Sequence, residues 1–191
     1  MSDDSDRCPS GSDDEPPQTG PAGLISVDVM ENGGDWTAVA DAAGAARDAA
    51  LAAANFVETR LSGTSAAIAL GSDEEVAALN ASYRGKPSPT NVLSFPAPEF
   101  PAGIEPSSPS ERRFIGDIIL AAETVHREAA ELGIPLKHHL QHLVVHGLLH
   151  LSGFDHEDDE AASTMESLET RILATLEIPD PYAEDPATAG C

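Results

Sequence analysis

His146 and His150 stand four residues apart in the run His146-Gly-Leu-Leu-His150-Leu-Ser-Gly-Phe-Asp-His156. On a helix that spacing puts both imidazoles on one face, one turn apart, close enough to share a metal ion. Gly153 then supplies a residue that can end the helix in a left-handed turn, so that the chain folds back and offers His156 as a third nitrogen. Three imidazoles with an open fourth position form the ligand set of a catalytic zinc, with Zn–N distances of about 2.0–2.1 Å. Incidental helix histidines would account for one pair, but not for the whole His-x-x-x-His-x-x-Gly-x-x-His spacing. The expectation is therefore one zinc per chain, on His146, His150 and His156.

That spacing is similar to the metzincin protease signature, except that Gly147 stands where those proteases carry a glutamate. The glutamate is the base that takes a proton from water at the metal, and glycine has no side chain for the task. Peptide hydrolysis is disfavoured accordingly. Chemistry on phosphate remains open, because a metal lowers the pKa of a bound water from 15.7 to about 7 and also neutralises charge on phosphoryl oxygens.

The remaining candidates divide between chemistry and packing. His139 and His142 fall on the same helical stripe as His146 and His150, yet no further ligand stands at a helpful spacing, so hydrogen-bonded helix residues are expected rather than a second metal. His126 and His138 read as surface. Met165 belongs to an apolar helical stripe and reads as packing, although a methionine lies beneath the metal in metzincins. Asp155 either orients a ligand imidazole or caps the last helix, and spacing does not separate the two. Arg84 stands on a loop bounded by glycine and proline, where a guanidinium can clamp a phosphate. Nothing in the spacing brings it near His146, so by residues alone an exposed, unpartnered arginine is the expectation.

The elements that must position these residues follow from pattern. Leu24–Met30 suits a first strand and Trp36–Leu61 a long alanine-rich helix, ended by Ser62 and Gly63 before a second strand over Thr64–Leu70. Ser72 and Glu75 form a capping box for a short helix to about Ser82. Pro87 and Pro89 mark a rigid loop, Val92, Leu93 and Phe95 a third strand ended by Pro96, and residues 97–112 an irregular proline-rich loop. Phe114–Leu120 reads as the fourth strand. Helices follow over Ala121–Leu132, closed by Gly133, over Leu136–Leu151, which carries the first two ligands, and over Glu157–Leu176. The expectation is an α+β fold in which a small mixed four-stranded sheet is packed with about five helices, one of them a metzincin-like zinc-site helix.

With 191 residues the chain has room for one domain with a real core plus tails. Residues 1–22 read as a disordered acidic tail, 23–178 as the folded domain and 179–191 as a frayed C-terminal tail. Only 4% of residues are aromatic, so closely packed helices rich in alanine are expected in the core. The formal charge of −23 argues against a general nucleic-acid or anionic-membrane surface. Between Arg84 and Lys137, however, six bases nearly balance seven acids, which leaves room for a locally basic groove. Cys8 and Cys191 stand in the tails, where neither a disulfide framework nor a cysteine zinc site can be built. No signal peptide or membrane span is legible, and a cytoplasmic location follows as an expectation.

Taken together, the histidine run, Leu79-Asn-Ala-Ser-Tyr-Arg-Gly-Lys86, Thr90-Asn-Val-Leu-Ser-Phe-Pro96 and Ile115-Gly-Asp-Ile118 resemble the YbeY family of bacterial endoribonucleases, over roughly Leu24 to Ile178. The resemblance implies a metal-dependent, single-strand-specific endoribonuclease acting in 16S rRNA 3′-end maturation and ribosome quality control. It also implies that His146, His150 and His156 hold the metal and that Arg84 works beside His146 as a catalytic residue. The implied partners are single-stranded RNA, the small ribosomal subunit and a ribosomal protein, with no DNA and no membrane. A metallopeptidase or amidase with an unusual base, and a non-catalytic ribosome-assembly factor with a structural zinc, are the competing readings.

Overall fold

A computed structural model describes residues 25–98, 112–156 and 158–183. The expected N-terminal tail, residues 184–191 of the expected C-terminal tail, most of the loop expected over 97–112, and both cysteines lie outside these residues. Ten elements follow one another: β1 (Ser26–Glu31), α1 (Ala42–Phe56), α2 (Glu58–Leu61), β2 (Thr64–Gly71), α3 (Asp73–Arg84), β3 (Val92–Pro96), β4 (Arg113–Ala121), α4 (Ala122–Leu132), α5 (Leu136–Leu151) and α6 (Asp159–Thr175).

The four strands form one mixed sheet in the order β1-β2-β4-β3. β1, β2 and β4 run parallel, while β3 is an antiparallel edge strand beside β4, with Ser94 opposite Ile118 and Phe95 opposite Asp117. β4 shifts register against β2 between Ser65 and Ala66. Gly116 follows with φ 143, and a Cβ there would stand 2.3 Å from the Phe95 carbonyl oxygen, so only glycine lets β3 close on β4 at this point.

The two faces of the sheet carry two cores. On one, α1, α5 and α6 cover the sheet through Ile68, Leu70, Ile118 and Leu120 together with Leu140, Val144, Leu148 and Ile172. On the other, Val76 of α3 joins Leu93, Ile119 and Ala121, with Leu79 and Phe95 packed against them. The inward stripe of α1 consists of Ala42, Ala45, Ala46, Ala49, Ala50, Ala53 and Ala54. Side chains this small allow helix axes to approach closely, and the Gln141 amide of α5 reaches the Ala45 carbonyl at 3.3 Å.

Local rules set the helix ends. The expected capping box is present, with Ser72 Oγ accepting from the Glu75 amide at 3.3 Å and Glu75 accepting from the Ser72 amide at 2.8 Å. α3 continues past Ser82 to Arg84 and stops at Gly85, φ 67. The helix expected over Trp36–Leu61 differs most. It starts at Ala42, because the Asp41 carboxylate caps it by accepting from the Gly44 amide at 2.7 Å, and it breaks at Val57, φ −119 and ψ 38, to leave α2 as a separate turn. Six helices rather than five result. Trp36 and Val39 stay buried in the turns ahead of α1.

Candidate metal centre and cleft

α5 ends as the sequence requires. Gly153 is left-handed at φ 82, its amide bonds to the His150 carbonyl at 2.9 Å, and the Phe154 amide bonds to the Leu149 carbonyl at 3.0 Å. Arg60 secures this turn from α2, donating to the Ser152 carbonyl at 2.7 Å with its guanidinium 4.4 Å from the Phe154 ring centroid. The reversal brings His156 back over α5. One ligand nitrogen from each of His146, His150 and His156 lies within 4.8 Å of the other two, and among the described residues no other such trio of potential ligands occurs.

The hydrogen bonds of these rings test the fit of a metal. His146 Nδ1 lies 2.8 Å from a Glu169 oxygen, and His150 Nδ1 lies 3.1 Å from the Phe154 carbonyl. A carboxylate and a carbonyl only accept, so both imidazoles donate from Nδ1. Their Nε2 atoms are left as lone pairs facing each other at 3.1 Å. Two facing lone pairs call for a cation between them, and tetrahedral zinc with bonds of about 2.0–2.1 Å would separate two nitrogens by roughly 3.3 Å. Burial, followed by the neighbouring His146 and His156, lowers the pKa of His150, which favours the neutral, ligating form. The donor set and its orientation fit zinc.

These histidines form one wall of a cleft of about 590 Å³, whose other lining includes Arg84, Thr90, Asn91, Ser94, Pro96 and Asp155. Arg84 gets there through the sheet. α3 packs on the face opposite α5, and β3 between them is the edge strand, so the last residue of α3 shares a cleft with side chains of α5 across that edge. No periodicity encodes this juxtaposition.

Gly147 turns out to be a packing position. A Cβ there would meet Ser94 Oγ at 3.0 Å and two Ile118 carbons at 3.1 and 3.2 Å, and Ser94 Oγ donates to the Gly147 carbonyl at 3.3 Å. The place a protease glutamate would need is thus filled by β3 and β4.

Around the centre, His139 lies 2.9 Å from Glu128, which also accepts from Asn91 at 2.9 Å, and His142 lies 3.0 Å from Glu169. Both are hydrogen-bonded helix residues. Met165 is buried in the main core. Asp155 takes neither expected role: its carboxylate accepts from the His156 amide at 2.7 Å, and Asp158 caps α6 through the Ala161 amide at 2.8 Å. His126 is not a surface residue but half-buried, edge-on to Trp36 with ring centroids 6.4 Å apart.

Sequence reasoning passed over Glu169. Its carboxylate is 0% exposed and accepts hydrogen bonds from His142, His146 and the Tyr182 hydroxyl. Burial alone would raise its pKa, but the three donors outweigh burial and hold it at about 2. Burial and that same carboxylate push the Tyr182 phenol up. One signal was available: Glu169 stands four residues after Met165 and three before Ile172, a carboxylate in the middle of the buried stripe.

Comparison with known proteins gives a consistent set of relatives. A family model described as endoribonuclease YbeY matches residues 36–177. A protein named endoribonuclease YbeY from Nitrobacter hamburgensis is 45% identical over 181 residues, covering 89% of this chain and 94% of its own. One of the same name from Rhodopseudomonas palustris is 49% identical over 151 residues, covering 78% and 77%. The solution structure of TM1509 from Thermotoga maritima matches with a TM-score of 0.51 at 20% identity, covering 85% of this chain and 99% of that one, and so shares the fold.

Proposed function

The chain belongs to the family described as endoribonuclease YbeY, and from that premise we propose that it is a zinc-dependent endoribonuclease cutting single-stranded RNA. Its RNA would be the 3′ end of the small-subunit ribosomal RNA, met on the ribosome with the help of a ribosomal protein. The observation that carries the reading is the pairing of Nε2 lone pairs on His146 and His150 with Arg84 lining the same cleft.

His146, His150 and His156 would hold the ion. Bound zinc would supply Lewis-acid charge to a phosphoryl oxygen and acidity to a water molecule. Arg84 would bind the scissile phosphate through its planar fork and stabilise the negative charge that grows on it in the transition state. Thr90, Asn91 and Ser94 offer neutral polar groups in the same cleft, suited to a flexible strand with exposed base and sugar edges. In a chain of charge −23, the electrostatic grip on RNA is local rather than spread over a basic face, which makes docking on a ribosomal protein a natural source of affinity.

Incubating zinc-loaded protein with single-stranded RNA, duplex RNA and a generic peptide tests the reading. Cleavage of the single strand alone is expected. Peptide turnover without RNA turnover would overturn it in favour of a metallopeptidase. Analysis of the product ends identifies the nucleophile, since a 2′,3′-cyclic phosphate excludes direct attack by water.

A further inference from the structure

The family match ends at residue 177, yet the chain beyond it returns to the metal centre. Asp180 makes the return possible. Its carboxylate accepts from the Thr170 hydroxyl of α6 at 3.0 Å and from the Tyr182 amide at 3.0 Å, so residues 180–182 turn back along α6. The Tyr182 hydroxyl then donates to Glu169 Oε2, the oxygen that His142 Nε2 reaches at 3.0 Å, while Oε1 receives His146 Nδ1 at 2.8 Å. His142 and His146 are one turn apart on α5, so one carboxylate spans both.

The two oxygens of this buried carboxylate meet two ring nitrogens and a hydroxyl, and a carboxylate offers them only lone pairs, so each of these groups must donate. That requirement fixes the proton of His146 on Nδ1. In free imidazole in water the opposite tautomer is a ready alternative, and it would place a proton where the metal has to bind. We propose that Glu169 is the positioning residue of the metal centre: it holds His146 as the Nδ1–H tautomer with Nε2 aimed at the ion, and Tyr182, from beyond the family match, holds Glu169 in place. The proposal rests on the zinc reading of His146, His150 and His156. Carboxylates that orient ligating histidines in this way contribute about 10- to 100-fold to metal affinity.

A purely structural role for Glu169, tying α5 to α6, predicts something else: lower stability with unchanged zinc affinity in molecules that stay folded. The 191-residue chain and its Glu169→Gln and Tyr182→Phe variants separate the two, with zinc affinity measured by chelator competition and the histidine ring nitrogens followed by ¹⁵N NMR. Folded Glu169→Gln is expected to bind zinc about 10- to 100-fold more weakly, with the His146 Nδ1 proton moved upfield and exchanging faster with solvent. Tyr182→Phe, at a position 42% exposed, is expected to stay folded, to shift the same proton in the same direction and to weaken zinc by a smaller factor.

Unchanged zinc affinity in both variants would overturn the proposal. So would a His146 ring protonated on Nε2 in the metal-free wild type, at a pH where the ring is neutral, and that spectrum decides the matter even if Glu169→Gln does not fold. Should the wild type take up no zinc at all, the metal reading falls, while the ring tautomer still reports whether Glu169 orients His146.

Discussion

Among the described residues lining the cleft, Arg84 is the only lysine or arginine, so in the proposed mechanism the electrostatic stabilisation of a phosphate by a fixed side-chain cation rests on it. Arg84→Ala should lower RNA cleavage by about 10²- to 10³-fold, the range for losing one donor to a transition state. Zinc content and melting temperature should stay near wild type, and Arg84→Lys should restore only part of the rate, because an ammonium lacks the bidentate fork. Unchanged cleavage by Arg84→Ala at saturating RNA would remove arginine from the chemistry. Gly147 poses the complementary case. Installing the protease glutamate there, Gly147→Glu, should create no peptidase and should cost at least about 2 kcal/mol, since the side chain overpacks Ser94 and Ile118 and buries a carboxylate; denaturant unfolding measures it. For His150 the sign is set by burial. Its folded pKa lies below the ordinary 6.5, so in metal-free protein its NMR titration midpoint should fall below 6.5, and its contribution to stability is present at higher pH and lost as pH falls through that midpoint. At this scale the sequence was most legible where a residue's role is local: the spacing of His146 and His150 and the turn at Gly153 specify each other. Asp155 was open because its carboxylate had two plausible targets and took a third, the His156 amide.

Elements were read well where one face or one cap decides them, as with the Ser72 and Glu75 capping box and the stripe of α6. The break at Val57 was not legible, because Trp36–Leu61 is rich in good helix formers and only the packing of Leu61 and the Arg60 contact to Phe154 explain a separate turn. Glu169 was missed for a related reason: a carboxylate in an apolar stripe acquires its meaning from α5, which packs on α6 only in three dimensions. Strand β3 forms a wall of the cleft, and its closure on β4 depends on Gly116. Gly116→Ala should therefore destabilise the protein by about 1–3 kcal/mol, because a left-handed-side φ of 143 is strained for alanine and its Cβ would meet the Phe95 carbonyl. Faster hydrogen exchange at Leu93 to Phe95 would show that the loss falls on β3; protection equal to wild type there would count against that role for the glycine.

For the molecule as a whole, the α+β class and the four strands could be read from alternation and length, but the order β1-β2-β4-β3 could not. It matters, because placing β3 at the edge is what lets α3 and α5, on opposite faces, contribute Arg84 and the histidines to one cleft. The charge of −23 acts at the same scale. With a cleft lined by one arginine, few phosphates are neutralised, and each contributes a salt slope of about −0.7 on single strands. The log–log dependence of RNA binding on salt should accordingly be shallower than about −3, and a much steeper slope would reveal a basic surface elsewhere. The claim on which all of this depends is that a metal on His146, His150 and His156 drives RNA cleavage. Its most direct test is the rate of single-stranded RNA cleavage by wild type, His150→Ala and His156→Ala, with zinc quantified in each preparation. About one zinc per wild-type chain, and parallel loss of zinc and cleavage in both folded variants, is the predicted result; a variant without zinc that still cleaves RNA at the wild-type rate would contradict it.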